Sequence, residues 1–186
     1  AAAHLAARGI TAGQRVAVVT PEYAATSQAP GAQADALALV WGALRSGVIP
    51  VMIHPLLTAP EREFLLADSQ VSATVATPAE LASFTQPITS DDISDVPLTR
   101  PMHYTSGTTG TPKGVVARGS PEDATAWWLD EMEQWGFAPT DITLVHSPLC
   151  HSAPLRFAIG TLQAGGAVAL AGKFNAAAVS EAMRQA

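Results

Sequence analysis

The sequence predicts an α/β fold: a layered, mostly parallel sheet flanked by helices. Short apolar runs of strand length alternate with segments of helical period, the pattern of strand–helix units wound onto a parallel sheet. Glycine or proline punctuates the boundaries of many of these runs. With 186 residues, 48% hydrophobic and 14% charged, the chain can bury a sizeable core.

Taken in order, Arg15 to Thr20 reads as a strand from its Val-Ala-Val-Val run, and Pro21 to Gly31 as a loop of turn formers. Ala32 to Ser46 has helical spacing and stops at Gly47. Ile49 to Ile53 is a short apolar strand broken by His54-Pro55. Thr58-Ala59-Pro60-Glu61 is a capping box that opens a helix to Asp68. Ala73 to Ala76 reads as a buried strand, Ala79 to Phe84 as a short helix, and the polar, acidic stretch Thr85 to Arg100 as a connecting loop. Further on, Ser120-Pro121-Glu122-Asp123 caps a helix with Ala124, Trp128, Met132 and Trp135 on one face and Gly136 at its end. Ile142 to His146 is a strand, Ala153 to Ala164 a helix, Ala167 to Ala171 a strand, and Asn175 to Gln185 a final helix.

Charge narrows the function classes. A formal charge of −6 argues against nucleic acid as the main partner, because phosphate backbones select basic faces. No apolar run approaches the ~18 residues of a transmembrane helix, and a single cysteine excludes an internal disulfide and fits a reducing cytoplasm. Within this acidic chain one window is basic. No Asp or Glu lies between Asp95 and Glu122, whereas Arg100, Lys113 and Arg118 do.

That window holds Thr105-Ser106-Gly107-Thr108-Thr109-Gly110-Thr111-Pro112-Lys113-Gly114, with three glycines, five hydroxyls and one lysine. Glycine lets the backbone approach an anion closely, hydroxyls add neutral donors, and Lys113 adds a mobile point charge. The composition suits a polyphosphate. A P-loop of the Walker type requires lysine and a hydroxyl to open a helix. Here Gly114-Val115-Val116 follows Lys113, a poor helix start and a good strand start, so strand–loop–strand is expected.

The run Tyr104 to Val115 resembles, without a substitution, the Y-T-S-G-T-T-G-x-P-K-G-V signature of the adenylate-forming superfamily of acyl-CoA synthetases, luciferases and peptide-synthetase adenylation domains. Leu5 to Val18, Gly42 to Val51, His54 to Ser69 and Ser147-Pro148-Leu149-Cys150-His151 resemble further passages of that family, while Glu22 to Ala34 departs most.

The resemblance implies an ATP-dependent acid–thiol ligase. A carboxylate attacks the α-phosphate of ATP, pyrophosphate leaves, and the acyl-adenylate passes to CoA or another thiol; Mg2+ accompanies the nucleotide. It implies ATP-phosphate contacts from Thr105, Ser106, Gly107, Thr108, Thr109, Gly110, Thr111 and Lys113, with Lys113 as the catalytic cation, and a place for His151 in the acyl pocket. It also implies that residues 1–186 form an incomplete N-terminal AMP-binding domain. Residues 1–84 form a first α/β part, 85–100 the connecting loop and 101–186 the phosphate-loop part. The family's Tyr-Gly-x-Thr-Glu and Tyr-x-Thr-Gly-Asp motifs do not occur in the sequence, so a missing C-terminal half, or self-association in its place, is expected. An acyl-CoA synthetase of fatty acid metabolism is the first expectation within the family. A non-catalytic nucleotide- or acyl-binding module, or an adenylation domain for amino or aryl acids, is the alternative.

Other residues read as structural. Cys150 and His151 are neighbours whose side chains point apart if the segment is extended, so Cys150 is assigned to packing. Trp128 and Trp135 fall on the apolar stripe, and Asp130, Glu131 and Glu133 read as a solvated face. His54 and His103 lack metal-ligand spacing to other Cys or His residues, so no metal ligands are assigned.

Overall fold

The structure is a computed structural model that describes residues 1–21, 29–86, 93–105, 111–171 and 174–185. Its first half contains α1 (Ala2–Ala7), β1 (Arg15–Val19), α2 (Ala29–Arg45), β2 (Ile49–Ile53), α3 (Ala59–Ser69), β3 (Ala73–Val75) and α4 (Pro78–Ser83). Its second half contains β4 (His103–Thr105), β5 (Lys113–Val115), α5 (Pro121–Trp135), β6 (Ile142–Val145), α6 (Ser152–Gln163), β7 (Ala167–Leu170) and α7 (Ala176–Gln185).

The strands form a parallel sheet in the order β2-β1-β3, an antiparallel hairpin β4-β5, and a parallel pair β6-β7. Because side chains alternate across a strand, β1 feeds two cores. Val16 and Val18 join Leu39, Val40, Ala43 and Leu44 of α2, while Ala17 and Val19 join Leu65 of α3 and Met102. The α2 cluster runs on without a break into Val145, Leu149, Leu155 and Ile159, so both halves of the chain share it. Met102 couples the hairpin to the sheet: its N–H donates to the Pro50 carbonyl at 2.9 Å, and its carbonyl accepts from the Met52 N–H at 3.0 Å. Among the described residues no helix is long and apolar enough to cross a membrane.

The capping boxes read from Thr58 and Ser120 form as expected, and a third sits at Thr77. Gly136 ends α5 in the left-handed conformation. Three readings are corrected. Helix α2 starts at Ala29, inside the stretch read as loop, because a proline at residue 30 needs no N–H in the first turn of a helix. Trp135 is 49% exposed, for it sits on the last turn of α5 and meets the edge of Phe157 at 5.1 Å. Glu131 is not solvated; its side chain is 15% exposed between Arg100 and Arg156.

Candidate functional site

The hairpin is built by register. Thr105 pairs with Lys113, Tyr104 with Gly114, and His103 with Val115, so the loop closes at its Thr105–Lys113 base. The Thr105 hydroxyl reaches the Lys113 carbonyl at 3.5 Å. Lys113 thus opens a strand, the geometry that separates this loop from a Walker motif. Ser106, Gly107, Thr108, Thr109 and Gly110 lie outside the described residues. Thr111 and Lys113 are exposed at the exit of the loop.

Gly114 has a steric reason. A Cβ there would stand 2.3 Å from Met102 Cε and 3.2 Å from Tyr104 Cζ, so its absence lets β5 lie flat on those side chains. Tyr104 in turn donates its hydroxyl to Asp68 Oδ2 at 2.7 Å and lies 3.2 Å from the Leu65 carbonyl, tying the hairpin to α3. Burial, reinforced by the Asp68 carboxylate, pushes the Tyr104 phenol up to about 12.

Two cavities share Thr105, at the base of the hairpin, as a lining residue. The larger, about 360 Å³, is walled by His103, Val116, Trp128, Leu155, Arg100 and Arg156. Arg100 lies over the Trp128 ring at 5.0 Å and bonds Glu131, which Arg156 approaches to 3.6 Å. Two guanidiniums to one carboxylate leave this wall with positive charge in excess. His103 Nδ1–H donates to the Cys150 carbonyl at 3.1 Å. Burial lowers the His103 pKa more than that bond raises it.

The second cavity, about 270 Å³, is lined by His54, Glu61, Tyr104, Pro112, Cys150 and His151. The structure thereby brings His151 together with Thr105 and the loop exit. It also corrects the reading of Cys150 and His151 as pointing apart. Residues 148–151 form a turn in which the His151 N–H donates to the Pro148 carbonyl at 3.0 Å, so strand alternation does not apply. Ligating atoms of His54, Cys150 and His151 all lie within 4.8 Å of one another. Cys150 is buried, which pushes its thiol pKa up.

Sequence reasoning missed His103, Glu131 and the His54 cluster. Glu131 had a legible signal, since it follows Trp128 by three residues and so shares its helical face. His103 and His54 had none, because the segments that bring them to the cavities are remote in sequence.

Comparison with known proteins extends this geometry. Residues 99–186 match the family model of AMP-binding enzymes. A protein of Salinispora arenicola described as a probable non-canonical nonribosomal peptide synthetase, CymA, is 41% identical over 91 residues, covering 46% of this chain and 1% of that protein. Apo MatB from Rhodopseudomonas palustris superposes with a TM-score of 0.72 at 22% identity, over 100% of this chain and 40% of that one. The o-succinylbenzoate coenzyme A synthetase MenE of Bacillus subtilis, in complex with ATP and magnesium ion, gives a TM-score of 0.71 at 22% identity, over 99% of this chain and 51% of that one. At such identities the likeness is one of fold, and the chain spans 40% to 51% of the length of these two structures. Residues 99–186, which match that family model, thus belong to a chain whose fold is shared with part of each of these two structures.

Proposed function

We propose that this chain, AMP-binding in sequence over residues 99–186, is the phosphate-binding part of a ligase that activates a carboxylate with ATP and passes the acyl-adenylate to CoA or another thiol. The observation that carries the reading is the Thr105–Lys113 hairpin base, whose Thr105 lines two cavities and between whose strands the sequence is rich in glycine and hydroxyls.

The chain's own groups suit the reaction. Pyrophosphate leaves as an anion, so a cation held at the loop exit lowers the barrier by stabilising charge that develops in the transition state. Lys113 takes that role, with Thr105, Ser106, Thr108, Thr109 and Thr111 as hydroxyl donors and Gly107 and Gly110 as backbone donors. The donor set of hydroxyls, amides and one ammonium fits a polyphosphate. For Mg2+ the fit is to the nucleotide's own oxygens: Glu61, the carboxylate in the smaller cavity, is held by the Thr58 N–H at 2.8 Å in its capping box. When bound, the ion would supply charge neutralisation on the phosphates. His151 walls the acyl side, and the small, apolar segment Ser152-Ala153-Pro154-Leu155 that follows it favours an acyl or aryl acid.

The reaction belongs in the cytoplasm, where ATP and CoA are supplied. Because the chain spans about half the length of the enzymes whose fold it shares, residues 1–186 alone are expected to bind ATP weakly and to catalyse little ATP–pyrophosphate exchange. Calorimetry with Mg-ATP tests the assignment. Lys113→Ala should weaken binding by about tenfold, the loss of one charge-assisted contact. Equal affinity for the two proteins would remove Lys113 from the site.

A further inference from the structure

His54, Cys150 and His151 come from two segments, the exit of β2 and the turn before α6, and meet on the wall of the smaller cavity. Their ligating atoms fall within 4.8 Å of one another, and the two imidazoles are tilted by 48° with centroids 5.8 Å apart, so the rings are not stacked. Two imidazoles and a thiol form a borderline-soft donor set. Zinc and its transition-metal neighbours select such donors, whereas magnesium and calcium take oxygen. We propose that His54, Cys150 and His151 bind a zinc-class divalent ion, with the fourth position open to the cavity for water.

Zinc bonds of roughly 2.0–2.3 Å place tetrahedral nitrogen and sulfur ligands about 3.3–3.6 Å apart, so the cluster must contract by up to about 1.5 Å. His151 is exposed and can turn to meet the ion, while buried Cys150 is the fixed point. His54 Nδ1 accepts the Leu56 N–H at 3.1 Å, and ligation by that nitrogen displaces this bond. The site is therefore a reversible one rather than a preformed structural zinc centre. Binding forms a sulfur–metal bond, breaks the S–H bond and releases its proton to water. No electron is transferred.

Cobalt(II), titrated into the reduced chain without nucleotide or carboxylate, is the test. One equivalent is expected to give tetrahedral ligand-field bands and a thiolate-to-cobalt charge-transfer band, both abolished when zinc displaces the cobalt. Cys150→Ser should lose the charge-transfer band, and His54→Ala and His151→Ala should each bind at least about tenfold more weakly. His146→Asn, outside the cluster, should bind as wild type. Far-ultraviolet circular dichroism confirms that each variant is folded. Absence of the charge-transfer band in folded wild-type protein, or wild-type affinity in a folded Cys150→Ser or His151→Ala variant, overturns the proposal. Neither result depends on the adenylation reading.

Discussion

Tyr104 joins the hairpin to α3 through one hydroxyl, and its burial, together with that bond, gives it a pH signature. The phenol titrates near 12 in the folded chain against an ordinary value of 10.0, so the folded state holds the proton more tightly than the unfolded one. The associated stability is intact below pH 10.0 and is lost as the pH rises toward about 12. Tyr104→Phe removes the bond to Asp68, and should cost about 1–2 kcal/mol at neutral pH while flattening the alkaline loss. Melting temperatures from pH 8 upward check both, and a parallel alkaline decline in the two proteins would contradict the assignment. At this scale the sequence was informative where a residue acts through its neighbours in the chain, as at the Thr58–Glu61 and Ser120–Asp123 caps. It was silent where a residue acts through a remote contact. His103 meets the Cys150 carbonyl across 47 positions, and no spacing rule reaches that far.

Helices α5 and α6 show what pattern reading catches and what it passes over. The Ala124–Trp128 face was legible from its period, and both residues are buried. Glu131 continues that face, yet its charge made it look solvated; two arginines outside α5 make its burial possible. Removing the carboxylate leaves Arg100, whose side chain is 18% exposed, without its partner. Glu131→Ala should therefore destabilise the chain by about 1–3 kcal/mol, and denaturant unfolding measures it. A change within experimental error would mean that the pair contributes nothing. A second element-scale constraint lies at Gly160 of α6, where a Cβ would stand 2.3 Å from the Phe137 ring. Phe137 is itself packed against Phe157, with centroids 5.8 Å apart, and has little room to retreat. Gly160→Ala is expected to cost about 1–3 kcal/mol, or roughly 3–10 °C in melting temperature. An unchanged melting temperature would show that the ring moves freely.

At the level of the whole molecule, alternating strands and helices predicted a parallel α/β sheet, and two parallel sheets with flanking helices are found. The hairpin was legible because Gly-Val-Val after Lys113 cannot continue as a good helix. How the parts meet was not legible: the core running from α2 into α6 and the two cavities that share Thr105 arise from packing between segments far apart in sequence. That junction is the proposed site of the nucleotide's phosphates. Amide NMR mapping of Mg-ATP binding to the isotope-labelled chain tests the placement most directly. The largest shifts should fall on the amides of residues 105–114 and vanish in Lys113→Ala. Saturable binding whose shifts avoid the hairpin and cluster elsewhere would contradict it.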